Sequence, residues 1–511
     1  MCDRHRGATR DQARRPGSLK TLFLGIFVVL VAVTSLLWLF DRREEGTETD
    51  IYWATDTSPA KQEQAKLFED WLRQQGQPKA RLLVDVANSD FSKKLIQGVS
   101  GVMGDIVDCY DGKSEMQFLQ EAGMLQDVTE EARRMGFSSN KTFASIAPEV
   151  MVNGRQYGFP ANVYSQLFWV NPAAFERAGQ PLPPMRWSLD DFETRGRAYV
   201  QAANPPEKPR KFFFTDPIQP MHRQIFRRSL GTSLFNETLT ASRLTDPRNV
   251  ALMERIHRWT YVDHICPSMA DANAFNAQGG FWGSNGQLFY EGHYAMYLLG
   301  RYALIPLREL GDMPLRVVEP PNGGFPNTLV GARVSAIYRK AAHPEIALEF
   351  LKFLASREYN EQIVRSADAL PPAPAYADSE AFRQPATHPN EWGCHQAFLD
   401  AAETIGIVNE TSPFILPRIA GRIELNASDA CMAGVMSARD AMADADARIA
   451  AEIERYLEEN PEMRPEYAQR KVRQEEIDRR VARGEKIPAS WISNPFHLKY
   501  YASLGILEEG K

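Results

Sequence analysis

The sequence lacks the motifs that mark the common enzyme classes, and it lacks a surplus of positive charge. It carries 59 Lys and Arg against 65 Asp and Glu, a formal net charge of -6, so it has no electrostatic footprint for nucleic acid. It contains no Gly-x-Ser-x-Gly, Gly-x-Gly-x-x-Gly or His-Glu-x-x-His motif. The triplet Gly112-Lys113-Ser114 is not a phosphate-binding loop, because the first glycine of that motif would fall at Val107. These absences argue against nucleic-acid binding and against hydrolase, dinucleotide, zinc-protease and nucleotide chemistry.

Cysteine is scarce as well. One of the five cysteines, Cys2, precedes the apolar N-terminal run described below, and the others are Cys109, Cys266, Cys394 and Cys431. Four cysteines spread over a large chain allow either disulfides or small buried hydrophobes. The spacing of Cys394 with His388, Glu391 and His395 fits no standard zinc pattern. We therefore expect no metal, no cofactor and no catalytic residue.

Long apolar runs are absent except at one place, Leu22 to Phe40, which contains no charged residue. That length suits a helix that spans a bilayer. Basic residues dominate the segment before it, so the positive-inside rule places the N-terminus in the cytoplasm and the rest of the chain outside the cell or in the periplasm. A cleaved signal peptide ending near Val33-Thr34-Ser35 is the alternative, but the apolar residues that follow directly favour an uncleaved anchor.

After the anchor, strand and helix patterns alternate. Ile51–Ala54, Arg81–Ala87 and Asp105–Asp111 are predicted strands, with amphipathic helices between them. This alternation predicts a parallel sheet covered by helices, and the length of the chain predicts more than one lobe. Ligands of such sheets bind at the carboxyl ends of the strands.

Residues 157–203 are predicted to form a strand, a turn and two helices, the second over Leu189–Ala203. The run Tyr164–Val170 is apolar and aromatic, Asn171-Pro172 makes a turn, and Gly179 stands where a helix C-cap glycine belongs. The pattern Gly158-x-Pro160, a Trp-x-Asn strand end, Phe175-Glu-Arg-Ala-Gly179 and Trp187-Ser-Leu-Asp-Asp-Phe192 resembles the extracellular solute-binding proteins that serve carbohydrate ABC importers.

Further stretches carry the same resemblance. They include Glu291-Gly-His-Tyr-Ala-Met296 and Gly300-Arg-Tyr302, where tyrosine replaces the tryptophan of that family, and the helix His343–Leu354. The resemblance covers about residues 50 to 455. It implies an α/β, two-lobed periplasmic-binding-protein fold of type II, the Venus-flytrap form, in which the chain crosses between lobes three times, near 158–164, 317–322 and 368–373.

The resemblance and the apolar run together predict the domains. We expect a cytoplasmic basic segment, a transmembrane helix, a linker, two discontinuous lobes and a charged helical extension whose aromatic residues pack on a lobe. The bounds are 1–21 for the basic segment, 22–40 for the transmembrane helix, 41–49 for the linker, 50–160 and 322–368 for lobe 1, 164–317 and 373–457 for lobe 2, and 458–511 for the extension.

The predicted ligand-binding residues lie where strands end or where the chain crosses between lobes. Polar and aromatic side chains at such positions can stack on a sugar ring and bond its hydroxyls. The set is Thr55, Asp56, Tyr110, Asp111, Asn162, Tyr164, Asp216, Trp282, Arg301 and Tyr302.

The resemblance implies that the protein is the sugar-binding component of an ABC importer, with permease subunits as partners. We expect a monomer that binds no nucleic acid. A membrane-tethered sugar sensor is an alternative, and so is a glycan-active enzyme. The neighbouring carboxylates Asp190-Asp191 are not placed to flank a glycosidic bond, because they begin a helix and point apart.

Overall fold

The computed structural model of the chain describes Phe27, Val31 and residues 48–87, 90–110, 112–275 and 284–508. Within these residues no helix has both the length and the apolar character that crossing a membrane requires. The predicted transmembrane segment, 22–40, lies outside the described residues except for Phe27 and Val31.

Twelve strands are described. They are β1 Thr49–Ala54, β2 Ala80–Asp85, β3 Ile106–Cys109, β4 Met151–Val152, β5 Arg155–Gln156, β6 Gly158–Ser165, β7 Leu167–Val170, β8 Phe213–Thr215, β9 Tyr294–Leu299, β10 Arg316–Val318, β11 Thr328–Ile337 and β12 Gly406–Ile407.

The described α-helices lie between and after these strands. They are α1 Ala60–Gln74, α2 Phe91–Ser100, α3 Lys113–Glu121, α4 Thr129–Met135, α5 Pro172–Arg177, α6 Leu189–Ala203, α7 Pro220–Ser229, α8 Pro247–Tyr261, α9 Met269–Ala274, α10 Asn285–Tyr290, α11 Leu304–Leu310, α12 Pro344–Leu354, α13 Arg357–Ser366, α14 Glu380–Arg383, α15 His395–Thr404, α16 Pro417–Met432, α17 Ala438–Glu459, α18 Arg464–Arg483 and α19 Pro495–Ser503.

Local sequence explains where several helices begin. Asp90 accepts hydrogen bonds from the backbone amides of Ser92 and Lys93 at the start of α2. Ser188 and Asp191 form a reciprocal capping box at the start of α6. Asp191 therefore caps a helix, as its position in the sequence predicts.

The chain folds into two α/β lobes, each with its own sheet. The first sheet has the order β12-β11-β3-β1-β2, and β6 pairs with β11 along its other edge. Strands β1, β2 and β3 are parallel, whereas β11 runs antiparallel to β3 and β6. The second sheet has the order β10-β7-β9-β8.

The chain changes sheets between β6 and β7 and again between β10 and β11. We expected one strand over Tyr164–Val170, and this prediction is wrong. Tyr164 ends β6 in the first sheet, while Leu167–Val170 is β7 in the second, with Gln166 between them. The composition is apolar on both sides of Gln166, so the sequence gives no sign that the hydrogen-bonding partner changes.

A second prediction about helix bounds is also wrong. The sequence suggests one helix from Ala433 to Leu457, but α16 ends at Met432 and α17 begins only at Ala438. Ser437 caps α17 by accepting from the amide of Asp440. The cap and the turn at Gly434, whose φ is +68°, interrupt a run whose composition is helical throughout.

Apolar packing joins the lobes near the crossings. One cluster of buried side chains contains Val163 of β6 together with Trp169 of β7 and Tyr297 of β9. A second cluster fills the rest of lobe 2 and a third packs the other face of the first sheet. Cys109, Cys266, Cys394 and Cys431 are buried and free of disulfides, which favours the small-hydrophobe interpretation.

The C-terminal extension, α18 and α19 with the segments around them, packs on lobe 2. Phe496 is fully buried and lies edge-on against Phe325, in the segment between β10 and β11 where the chain changes sheets, with ring centroids 5.8 Å apart. The amides of Ser493 and Asn494 donate to the carbonyl of Glu237 at 2.9 and 3.0 Å. The prediction that the terminal aromatic residues pack on a lobe is confirmed.

Candidate functional site

The carboxyl ends of β1 and β3 place three of the predicted site residues together. Thr55 Oγ1 lies 3.2 Å from Tyr110 Oη, which donates to Asp56 Oδ2 at 3.3 Å. Thr55 is buried, whereas Asp56 and Tyr110 are half-buried. These contacts form because β1 and β3 are adjacent parallel strands that end at the same edge.

Asp108 lies directly beneath these residues and is fully buried. Its carboxylate accepts hydrogen bonds from Trp53 Nε1 at 2.9 Å, Thr55 Oγ1 at 2.6 Å and Ser335 Oγ at 2.5 Å. Asp108 therefore ties β1, β3 and β11 together at the edge that carries Asp56 and Tyr110.

Arg333 of β11 faces this edge and is the main cation of the site. Its guanidinium lies 3.4 Å from Asp56, 3.3 Å from Asp108 and 3.5 Å from Asp368. The side chain is 6 % exposed, so these charges interact with little solvent screening.

Asp368 connects the cluster to residues 368–373, the predicted third crossing. It accepts hydrogen bonds from Lys61 Nζ at 3.1 Å, Gln64 Nε2 at 3.1 Å and Asn162 Nδ2 at 2.8 Å. Asn162, another predicted site residue, is thus buried in the wall of the site and holds Asp368.

The cluster contains three carboxylates and two cations. Burial acts to raise the pKa of Asp368, but the charges of Lys61 and Arg333 outweigh burial and hold this pKa well below its usual range. Burial and the like charge of Arg333 lower the pKa of Lys61. The carboxylates, Asp368 first, overcome the burial of Arg333 and raise its pKa. Asp368 and Arg333 are therefore both ionised near neutral pH.

Tyr110 stays protonated beside this cluster. Burial, followed by the negative charge of Asp108, raises the pKa of Tyr110 well above its ordinary value. The phenol is therefore a donor near neutral pH, and Asp56 supplies carboxylate oxygens that can accept from a hydroxyl.

Two further predicted tyrosines meet where the sheets join. Tyr164 is on β6 of the first sheet, and Tyr302 follows β9 of the second. Their rings make an edge-to-face contact with centroids 6.5 Å apart, and both are half-buried. Gln166, the residue between the sheets, donates to Tyr302 Oη at 3.0 Å. Aromatic groups from both lobes thus border the same junction.

Asp216 lies inside lobe 2, away from these residues. It is fully buried and contacts His222 Nε2 at 3.2 Å and the amide of Leu298 at 3.3 Å. The amide of Gln219 donates to His222 Nδ1, so Nε2 of a neutral His222 carries the proton and donates to Asp216. Asp216 Oδ2 is buried and has no hydrogen-bond partner among the described residues.

Arg301 is buried as well, and its guanidinium contacts the end of α13 and the segment that follows it. It donates to the carbonyls of Val364 at 2.8 Å and Ala369 at 2.7 Å, and to His395 Nδ1 at 2.9 Å. In this conformation Asp216 and Arg301 face the protein interior. Asp111 and Trp282 lie outside the described residues.

Sequence reasoning missed the charged core of the site, namely Lys61, Asp108, Arg333 and Asp368. A signal was present for two of them. Asp108 and Arg333 each interrupt a strand of otherwise apolar or small residues, and a charge inside a buried strand needs a partner. The partner itself could not be read from the sequence, because Asp108 and Arg333 are far apart in the chain.

A cavity of about 550 Å³ adjoins the loop after Tyr110. The α3 helix and residues 144–153 form one wall. Residues 406–413, which begin with β12 of the first sheet, line it as well, together with Leu239 and the C-terminal extension. None of the predicted site residues that the structure describes lines this cavity.

The lobes also touch at α2 and α16. Arg418 of α16 donates to Ser92 Oγ of α2 at 2.6 Å, and its guanidinium lies 5.9 Å from the ring of Phe91. This contact bridges lobe 1 and lobe 2 at a point distant in sequence from the crossings.

Solved structures with the same fold come from several bacteria. An ABC substrate-binding protein from Listeria monocytogenes, solved with cycloalternan, is 20% identical with a TM-score of 0.66 and covers 79% of this chain and 98% of its own. The maltose-bound MalE3 of T. maritima is 15% identical with a TM-score of 0.63, covering 80% and 99%. UgpB from Mycobacterium tuberculosis, solved with glycerophosphocholine, is 15% identical with a TM-score of 0.64, covering 81% and 99%.

These structural likenesses establish the fold. Comparison with curated protein sequences gives no match. The family model of the bacterial extracellular solute-binding proteins matches residues 88–390, more than half of the chain. The matched region contains Tyr110, both residues of the Tyr164–Tyr302 contact, and Arg333 and Asp368 of the charged cluster. The chain therefore belongs to the family of bacterial extracellular solute-binding proteins.

Proposed function

We propose that this protein is the extracytoplasmic substrate-binding component of an ABC importer and captures a sugar or oligosaccharide between its lobes for delivery to a membrane permease. Family membership supports the binding role. The sugars in the neighbouring structures, cycloalternan and maltose, support the ligand class.

The observation that carries the proposal is the meeting of Tyr164, on β6 of the first sheet, with Tyr302, which follows β9 of the second. The edge of the first sheet also carries Asp56 and Tyr110. An aromatic face packs on the apolar side of a sugar ring, while carboxylate and phenol groups bond its hydroxyls. Each such hydrogen bond contributes a net ~0.5–1.5 kcal/mol.

Half-exposed and buried residues of the predicted set take different roles in this proposal. Asp56, Tyr110, Tyr164 and Tyr302 contact the ligand directly. The predicted ligand-binding residues Asp111 and Trp282 lie outside the described residues. Thr55, Asn162, Asp216 and Arg301 are buried, so we assign them to holding the walls of the cleft in place.

Binding is coupled to closure of the lobes about the crossings, which form a hinge. A ligand that contacts both lobes makes its full set of interactions only in the closed form. Shifting the lobes from 1:99 to 99:1 in favour of closure requires a preference of about 5.5 kcal/mol. A few hydrogen bonds and one or two stacked rings are sufficient for that preference.

We also propose that residues 22–40 anchor the protein in the membrane with the lobes outside the cytoplasm. The uncharged run in the sequence supports this. Extraction of the native protein then requires detergent, and salt alone leaves it in the membrane fraction.

Titration calorimetry of the detergent-solubilised full chain against mono- and oligosaccharides tests the sugar-binding role. With a sugar that binds, Tyr302→Ala lowers the affinity at least about tenfold, a loss of about 1.4 kcal/mol. Tyr261→Ala is the matched control, since that tyrosine is 42 % exposed on α8 and leaves the affinity unchanged. A failure of every sugar to bind, or an equal loss in both variants, contradicts the proposal.

A further inference from the structure

Lobe 1 exposes a group of apolar side chains toward the amino ends of β1 and β3. Ile96 and Val99 of α2 are 66% and 72% exposed, and Val102, which follows the helix, is 68% exposed. Ile96 and Val99 are three residues apart, so they lie on the same side of α2. Exposed apolar side chains that are grouped in this way mark contact with another protein or with a membrane.

The end of α2 keeps Val102 at the surface. Gly101 ends the helix with a φ of +77°, and the amide of Val102 donates to the carbonyl of Gln97 at 2.9 Å. In this type of helix end, an apolar residue in the place of Val102 usually packs on an apolar residue in the place of Gln97. Because glutamine is polar, Val102 gains little cover there and remains exposed.

Tyr52 of β1 extends this group. Gly104, two residues after Val102, lies against Tyr52, since a Cβ at Gly104 would be 3.2 Å from the Cβ of Tyr52. The ring of Tyr52 is itself exposed. The four exposed side chains form what we call the apolar patch, namely Tyr52, Ile96, Val99 and Val102.

The chain enters lobe 1 beside this patch. Strand β1 begins at Thr49, three residues before Tyr52, which is about 10 Å along a strand. Glu48 is eight residues beyond Phe40, the end of the uncharged run, and a chain of that length reaches at most about 29 Å. With residues 22–40 in a bilayer, as proposed above, the apolar patch is held close to the membrane surface.

The charges around the start of β1 are balanced and do not oppose contact with lipid. Asp50 pairs with Arg81 at 2.8 Å. Glu48 and Lys79 are exposed and carry opposite signs, and the carbonyl of Lys79 accepts from the amide of Thr49 at 3.1 Å. Tyrosine favours the membrane–water interface, because its ring is apolar and its hydroxyl is polar. The composition of the patch therefore suits the headgroup region of a bilayer.

We propose that the apolar patch of lobe 1 lies against the lipid bilayer, in the headgroup region beside the protein's own anchor. This inference rests on the proposed anchor of residues 22–40 and goes beyond the sugar-binding role. Asp56 and Tyr110 follow the carboxyl ends of β1 and β3, so the contact leaves the candidate site free of lipid. The patch thereby orients lobe 1 on the membrane.

Quenching by spin-labelled lipids tests the inference. The full chain, with Cys2→Ser, receives one new cysteine by Val99→Cys or Val102→Cys and is labelled there with nitrobenzoxadiazole. It is then reconstituted into vesicles of phosphatidylcholine and phosphatidylglycerol. The four cysteines that the structure describes are buried and stay unlabelled, namely Cys109, Cys266, Cys394 and Cys431.

Lipids that carry a nitroxide near the headgroup quench the labels at Val99 and Val102 at least about twofold, because both side chains lie in the interface. Val472→Cys is the matched control, since Val472 is an exposed valine on α18 of the extension. Its label is not quenched.

A charge placed in the patch weakens the contact. Ile96→Asp, in the chain labelled at Val102, reduces the quenching about twofold, because a carboxylate resists transfer into an apolar environment. Val481→Asp places the same charge on an exposed residue of the extension and leaves the quenching unchanged. Melting temperatures in detergent check that both variants fold.

Flotation of the vesicles separates the two ways in which the inference can fail. A chain that floats with the vesicles, but whose labels at Val99 and Val102 are quenched no more than the label at Val472, overturns the lipid contact while the anchor stands. The patch would then serve a protein partner. A chain that does not float overturns the anchor and this inference together, and sugar binding measured in detergent is independent of both.

Discussion

Two buried arginines, Arg333 in lobe 1 and Arg301 in lobe 2, occupy contrasting environments. Arg333 is surrounded by Asp56, Asp108 and Asp368, and these carboxylates raise its pKa. Arg301 donates mainly to backbone carbonyls and to His395, and burial, followed by the charge of Arg308, lowers its pKa to about 9.

Arg333 therefore belongs to a network of charges. Arg301 instead acts as a structural clamp that holds backbone segments together. Asp56 is one of the carboxylates around Arg333, and its side chain is 20% accessible. It lies at the edge of the sheet where a ligand would bind. The carbonyls around Arg301 belong to Val364 of α13 and to Ala369, so Arg301 fixes the position of the chain there. Substitution of the two arginines should therefore lower the free energy of unfolding by different amounts and with different pH dependence.

Arg333→Met should have the largest effect on stability. Among the described residues it leaves three carboxylates with Lys61 as their only cation, and breaking a buried ion pair costs about 3–5 kcal/mol. Urea unfolding at pH 7 measures this loss. The deficit should shrink as the pH falls into the acid range, because the buried carboxylates take up protons more readily once the arginine charge is removed. A deficit that does not change with pH would show that lost packing, not charge, is responsible.

Acidification should destabilise the clamp through His395. Because Arg301 Nε can only donate, His395 Nδ1 must accept, which keeps the imidazole neutral. Burial lowers the pKa of His395 to about 4. Stability is therefore fully present above the unfolded pKa, near 6.5, and falls by about 3 kcal/mol as pH drops toward 4.

His395→Asn, which keeps an acceptor for Arg301, is the test of that pH dependence. Unfolding free energies measured between pH 7 and 4 should fall less steeply in the variant than in the wild type. Identical slopes would assign the acid sensitivity to other groups.

Arg301→Met should cost less than Arg333→Met, about 2 kcal/mol. It leaves buried carbonyls without a donor but leaves no uncompensated charge. Its deficit should begin to shrink already below pH 6.5, since His395 protonates more easily once the arginine charge is removed. Parallel urea titrations of the two arginine variants compare the two pH windows. If both stability deficits shrank over the same pH range, the environments of Arg301 and Arg333 would not differ in the groups that titrate.

Arg418→Ala should have the smallest effect and should act on closure. The contact of Arg418 with Ser92 is solvent-exposed on one side, so its loss costs about 0.5–1 kcal/mol. Sugar affinity should fall up to about fivefold, and solution scattering should show a larger radius of gyration at subsaturating ligand. Arg422→Ala, an exposed arginine one turn away on α16, is the matched control, and an equal change in both variants would exclude a specific bridge.

The local sequence pattern was sufficient to predict many helices and strands of the fold. The helix α6 begins and ends at the predicted residues, Leu189 and Ala203, because its capping box and apolar spacing lie within one short segment. The grouping of Thr55, Asp56 and Tyr110 was predictable for a similar reason, since adjacent parallel strands present their carboxyl ends at one edge.

The position of the sheet change at Gln166 and the partners of Arg333 were not predictable. Both depend on which distant strand or loop packs against the residue. The local periodicity of the sequence contains no information about that partner. Likewise, nothing in α19 indicated that Lys499 would line the same cavity as Lys113.

By itself, the sequence determined the alternation of strands and helices, the caps and the aromatic residues at strand ends, because these depend on neighbours in the chain. Only the tertiary structure decided which of those residues face a ligand. Tyr164 and Tyr302 meet because two sheets abut, while Asp216 and Arg301 turn inward because buried partners satisfy them. Burial and long-range pairing set the charges of the site, and both arise only when distant segments of the chain pack together.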